Sequence, residues 1–132
     1  MYTESSQARV LLLEPNAPMR SAIQTVLAAE QYDVEVCDSL QQIVVREDGS
    51  PSTVALIAWQ SMEGLLAEEH RPDLAALTRR VRLVVMVPRR WARLLEDTDL
   101  VTAVSGLVAK PFEVDELIGT LERALSTSVS LS

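Results

Sequence analysis

A single cysteine, Cys37, stands among 132 residues. No disulfide can close within the chain, so a reducing cytoplasm is its default setting. The single histidine, His70, has no second His or Cys nearby, so it makes no metal site and belongs on a helix surface. Aromatic residues are 4 % of the chain against a hydrophobic share of 48 %. The core must therefore be aliphatic, the usage of a sheet of Val/Leu-rich strands covered by helices. Apolar runs stop at about six residues, well short of the roughly 20 that cross a bilayer. The opening MYTESSQARV lacks the cationic-then-apolar order of a signal peptide, so no membrane association is expected. There is no glycine-rich phosphate loop and no visible nucleophile–base set, which leaves hydrolase and oxidoreductase readings without support. No cofactor is implied. The formal net charge of −7 argues against direct, non-specific nucleic-acid binding.

What is present is an alternation of strand-like and helix-like segments, of a length that makes one domain with one core. ARVLLL (8–13) is a continuous apolar run, as in a strand buried on both faces. Asn16 can cap the helix that follows, and Pro18 is tolerated in its first turn. Met19, Ile23, Val26 and Leu27 form one apolar helical stripe. YDVEVC (32–37) alternates, which predicts a half-buried strand near a sheet edge. Asp38 or Ser39 can cap a short helix carrying Leu40, Ile43 and Val44, and EDGSPS (47–52) is a loop by its turn residues. TVALIA (53–58) is a third strand. Residues 61–80 are mostly helical, interrupted near Pro72, with Asp73 and Leu74 restarting the pattern. RLVVMV (82–87) is a fourth strand stopped by Pro88, RRWARLLED (89–97) a short helix, residues 97–106 a less regular return, and GLVA (106–109) a fifth strand. In the last helix Val114, Leu117, Ile118, Leu121 and Leu125 share a face. Its start is acidic (Glu113, Asp115, Glu116) and Arg123 lies near its end, as the helix dipole favours.

Five such alternations predict an open five-stranded α/β sandwich with right-handed crossovers. Its functional crevice lies beyond the carboxyl ends of the strands, where strand order reverses. The element GLVAKPF (106–112), the segment LLLEPNAPMR (11–20) and the placement of LIAWQSM (56–62) give this pattern a resemblance. Over residues 8–126 the chain resembles the receiver (CheY-like) domain of two-component response regulators, in a degenerate form. The resemblance implies a flavodoxin-like (βα)5 three-layer sandwich with a parallel sheet of strand order 2-1-3-4-5. Residues 1–7 are then a flexible N-terminus and residues 127–132 a tail or the start of a linker.

The resemblance also implies chemistry, and here this sequence departs from the family. In receivers an aspartate ending the third strand accepts a phosphoryl group, two acids after the first strand help hold Mg²⁺, and a Ser or Thr ends the fourth strand. A lysine ends the fifth, usually before a cis proline. A carboxylate must be the nucleophile, and the clustered anions need a divalent cation and a lysine. The acidic pair falls here on Glu14 and Pro15, the acceptor on Ala58, the hydroxyl position on Pro88 and the aromatic switch position on Leu107. Lys110 is kept, with Pro111 as the cis-proline position and Phe112 behind it. No one-residue slip restores several positions, because no aspartate occurs between Asp48 and Asp73, and Glu63 lies past the end of the third strand. The implied reading is a pseudo-receiver that binds no metal.

Three outcomes are open to Lys110: an ion pair with Glu14, which is the expected one, a side chain extended to solvent, or an anion site. Arg89, Arg90 and Arg93, with Trp91 among them, fall near the rim of the vacated crevice. They are expected as a solvated face balanced against Glu96, Asp97 and Asp99, with a partner contact or a small ligand as alternatives. Arg79, Arg80 and Arg82 belong at the opposite end of the sheet. Trp59 either fills the volume of the missing machinery or anchors a partner. Cys37 is expected as a small buried apolar residue, since Asp38 has the wrong sign to stabilise a thiolate. The expected function is a non-enzymatic signalling module working by phosphorylation-independent protein–protein interaction. Its partner or second copy would use the face of helix 89–97, strand 106–109 and the last helix, and an effector domain fused after residue 132 is an open possibility. The alternatives are a small-anion or nucleotide sensor in the vacated pocket, and a phosphorelay receiver with an unrecognised acceptor.

Overall fold

The computed structural model describes residues 8–47, 52–62, 71–91 and 104–126, with backbone alone for 71–75. Five strands are described: β1 (Arg9–Leu13), β2 (Asp33–Val36), β3 (Thr53–Ala58), β4 (Arg82–Pro88) and β5 (Gly106–Lys110). All pair in parallel, in the order β2-β1-β3-β4-β5. This is the flavodoxin-like order expected from the sequence. The helices are α1 (Ala17–Ala29), α2 (Leu40–Arg46), α3 (Trp59–Met62), α4 (Arg71–Arg80) and α5 (Val114–Ser126).

Strand alternation sorts the core into two layers. Val10, Leu12, Val54, Leu56, Ala58, Val84, Met86 and Val108 face α1 and α5, where Ile23, Leu27, Leu117 and Leu121 meet them. Leu11, Leu13, Ala55, Ile57, Leu83, Val85 and Val87 face the other way, onto Ile43 of α2, Met62 of α3 and Leu77 of α4. Period-two side chains on strands buried on both faces read as continuous apolar runs, and each fully buried aliphatic side chain contributes about 1.5–3 kcal/mol.

Local chemistry sets the helix starts. The Asn16 side chain accepts from Met19 N at 2.9 Å with Pro18 in the first turn, and Ser39, rather than Asp38, caps α2 by accepting from Gln42 N at 3.1 Å. Some expectations shift. Helix α4 runs from Arg71 to Arg80 with Pro72 inside it, and the segment before Arg71 lies outside the described residues. The strand at 82–87 runs on through Pro88, which pairs with Lys110. Since β3 has ended at Ala58, opposite Met86, Pro88 lies beyond the ladder on that side and its missing N–H leaves no gap there. Val44 is exposed, and α2 buries Ile43 with Leu40 packed alongside. In α5 the buried stripe is Leu117, Thr120, Leu121 and Ala124; Val114 stays 45 % exposed, because the helix turns its 117–124 side to the sheet. His70, Glu63, Arg93, Glu96, Asp97 and Asp99 lie outside the described residues.

Cys37 is buried, and that burial is the main cause that raises its thiol pKa, with Glu35 adding to it. At the amino end of the sheet Arg80 pairs with the buried Glu47 at 2.5 Å, so Arg79, Arg80 and Arg82 stand away from the carboxyl-end crevice. Nearby, Arg9 and Arg46 both pair with Glu35. The Arg9 hydrogen bond is the largest cause that lowers the Glu35 carboxyl pKa. A carboxyl lowered in the folded state gives stability that is present above its unfolded pKa and lost as pH falls through the folded one. Chemical denaturation as a function of pH should therefore show a loss below the ordinary carboxylate range that Glu35→Gln reduces; an unchanged slope in the variant contradicts the pairing.

Gly106 marks the closest approach of β5 to α5. A Cβ there would lie 2.9 Å from Thr120 Cγ2 and 3.8 Å from Val84 Cγ2. Gly106→Ala should cost about 1–3 kcal/mol by overpacking. In a Thr120→Ser background, which removes that methyl, urea denaturation should show a smaller cost. Equal costs in both backgrounds rule out this contact as the reason for glycine.

Candidate functional site

Because all five strands are parallel, their carboxyl ends form one crest, and it gathers the residues singled out by the sequence. Glu14 follows β1, Ala58 ends β3, Pro88 ends β4 and Lys110 ends β5. Ala58 is fully buried, its methyl in the layer beneath α1 and α5. It offers no oxygen to the crest. Pro15 is exposed in the turn after Glu14. Leu107 is half-buried against the opposite layer.

Lys110 Nζ lies 2.6 Å from Glu14 Oε1. The Glu14 side chain is 0 % exposed and that of Lys110 18 %. The second carboxylate oxygen of Glu14 accepts the backbone N–H of Asn16 at 3.0 Å. The Glu14 carbonyl accepts from Arg20 Nη1 at 3.1 Å. β1 and β5 are three strand intervals apart, about 14 Å at the usual spacing. The pair therefore reaches over the ends of β3 and β4, where Ala58 leaves room. A buried carboxylate needs such partners, since an unpaired charge there costs several kcal/mol.

The peptide bond between Lys110 and Pro111 is cis. The Pro111 carbonyl accepts from Arg89 Nη2 at 2.6 Å, and the same arginine stands 3.5 Å from Glu116 Oε1 of α5. Arg89 is thus held by the residue that follows β5 and by α5, and its acidic neighbour among the described residues is Glu116. Arg93 lies outside the described residues.

Beside the ion pair opens a cleft of about 500 Å³. Trp59, Trp91, Met19 and Met86 line it. Pro88, Pro111, Gln60, Arg90 and Lys110 complete it. Ala58, fully buried, is not among the lining residues. The two indoles meet edge to face, with centroids 6.0 Å apart and planes at 88°, a favoured aromatic geometry. The Arg90 guanidinium stands 6.0 Å from the Trp91 centroid, within cation–π range. Trp59 Nε1 is buried and has no hydrogen-bond partner. Leaving such a donor unpaired costs about 1–3 kcal/mol. Sequence reasoning missed Met19, Gln60, Met86 and the Trp59–Trp91 contact. The available signal was that the two tryptophans follow the ends of adjacent strands.

The donor set does not fit a magnesium ion. Mg²⁺ takes octahedral oxygen ligands, whereas Glu14 already has one oxygen on an ammonium and the other on an amide. Among the described residues no group of three His, Cys, Asp or Glu gathers to hold a metal. Likewise no described helix is long and apolar enough to cross a membrane.

No family model matches the chain, and no curated protein matches it by sequence. Solved structures do. The crystal structure of FixJ-N aligns with TM-score 0.73 and 18 % identity over 95 % of this chain and 98 % of its own. A response regulator receiver domain protein from Clostridium thermocellum aligns with TM-score 0.70 and 12 % identity over 90 % and 94 %. A chain described as adenylate cyclase from Rhodopirellula baltica aligns with TM-score 0.68 and 12 % identity over 91 % and 88 %. At these identities the likeness is one of fold.

The ion pair is open to test. Lys110→Met strands a buried carboxylate and should cost about 3–5 kcal/mol, while Glu14→Leu with Lys110→Met should recover most of it. Thermal and urea denaturation read both. A cost below about 1 kcal/mol for Lys110→Met would be that of a solvated lysine.

Proposed function

We infer that this chain is a receiver-like signalling module that carries no phosphoryl group and works by protein–protein contact. One observation supports the reading above others: in the fold's phosphorylation pocket the acceptor position is a buried alanine, and the remaining lysine is neutralised by Glu14. Aspartyl phosphate chemistry needs an acceptor oxygen, a divalent cation and a free ammonium to offset the incoming charge. The described crest offers a paired ammonium and one paired carboxylate.

The contact face is the one formed by residues 89–91, β5 and α5. Arg89 joins its parts through the Pro111 carbonyl and Glu116, and Val114 leaves apolar surface on it. The occupant is a partner protein or a second copy of the chain. Such a module has no chemical switch of its own, so a change of state comes from a partner that prefers one conformation. It catalyses no reaction.

The test exposes the full chain to acetyl phosphate and Mg²⁺, followed by intact mass and sedimentation velocity. The expected result is an unmodified mass and an unchanged sedimentation coefficient. A stoichiometric phosphoryl adduct would establish the rival reading, a phosphorelay receiver with an acceptor elsewhere.

A further inference from the structure

We propose that the cleft lined by Trp59 and Trp91 binds a small, flat, largely apolar organic acid. This goes beyond the partner reading and does not rest on it. At about 500 Å³ the cleft falls within the usual range of about 300–1,000 Å³ for small-molecule sites. Two indoles, two methionines and two prolines supply apolar walls, and methionine adapts its shape to a guest. Aromatic edges and faces favour a ring system as the body of the ligand.

The polar groups select an acid. Two cations line the site, Lys110 and Arg90, and Lys110 is engaged by Glu14. Arg90, on the rim, makes no ion pair with the described residues. It is the group a ligand carboxylate would meet, outside the buried pair. Trp59 adds a donor. Its N–H is sealed from solvent and unpartnered where it stands, so the indole gains a hydrogen bond by turning toward an acceptor in the cleft. A bare anion such as phosphate would leave the apolar walls uncovered and find one cation. An aromatic acid uses both features.

The probe is 2-naphthoate, titrated into the full chain by calorimetry and by the indole N–H resonances. The chain has two tryptophans and both line the cleft, so every indole signal reports on it. We expect saturable binding at one per chain, with both indole resonances shifted and no binding of inorganic phosphate over the same range. The neutral 2-naphthamide should bind about tenfold more weakly, the scale of one charge-assisted contact. Arg90→Gln, at an exposed position, should bring 2-naphthoate down to the amide and leave the amide unchanged. Trp59→Phe, which keeps an aromatic wall and removes the donor, should weaken both. Absence of binding at millimolar naphthoate, equal binding of phosphate, or an Arg90→Gln variant that still prefers the acid overturns the proposal.

Discussion

The ion pair between Glu14 and Lys110 organises the crest of this molecule. A carboxylate with no exposed surface is tolerable only because both of its oxygens are used, one by an ammonium and one by an amide. Those two contacts join distant parts of the chain. The amide belongs to Asn16, which also caps α1, and the ammonium ends β5, two strands beyond β3 in the sheet. The turn leaving β1 is thereby fixed to the turn leaving β5. Arg89 adds a third turn by donating to the Pro111 carbonyl.

The same interaction decides what the crest can do. A phosphoryl group or a divalent cation would have to compete with an internal counter-ion already at hydrogen-bond distance. Separating that counter-ion from its partner exposes a buried charge to the full desolvation penalty. Polar bonding holds the crest, and beside it the surface turns apolar, with two tryptophans in edge contact. The scaffold thus places a closed ionic site next to an open aromatic one.

Much of this was legible in sequence because the signals were local or periodic. Strands buried on both faces leave runs such as VALIA, and the edge strand β2 leaves the alternation of YDVEVC. Capping by Asn16 and Ser39 follows from short polar side chains just ahead of apolar stripes. The pairing of Lys110 with Glu14 was reachable once both were placed at the carboxyl ends of strands in one parallel sheet, although β5 proves to be an edge strand. Other features depend on distance relations that sequence does not carry. Pro88 belongs to its strand because β3 stops two residues earlier, a matter of register. The exposure of Val114 reflects how far α5 rolls on the sheet, which the close contact of Gly106 with Thr120 helps set. The indole contact required knowing that the exits of β3 and β4 turn toward one another. The contact of Arg89 with Glu116 joins two elements far apart in sequence, which no local pattern announces.

The central claim is that the crest lysine is already satisfied from within and offers no site for phosphate chemistry. Its most direct measurement is the ¹H–¹⁵N resonance of the Lys110 side-chain ammonium, titrated with Mg²⁺ and beryllium fluoride. The account predicts a resonance that keeps its position through the titration and moves when Glu14 is replaced by glutamine. A saturable shift on adding Mg²⁺ and beryllium fluoride to the unmodified protein would contradict it.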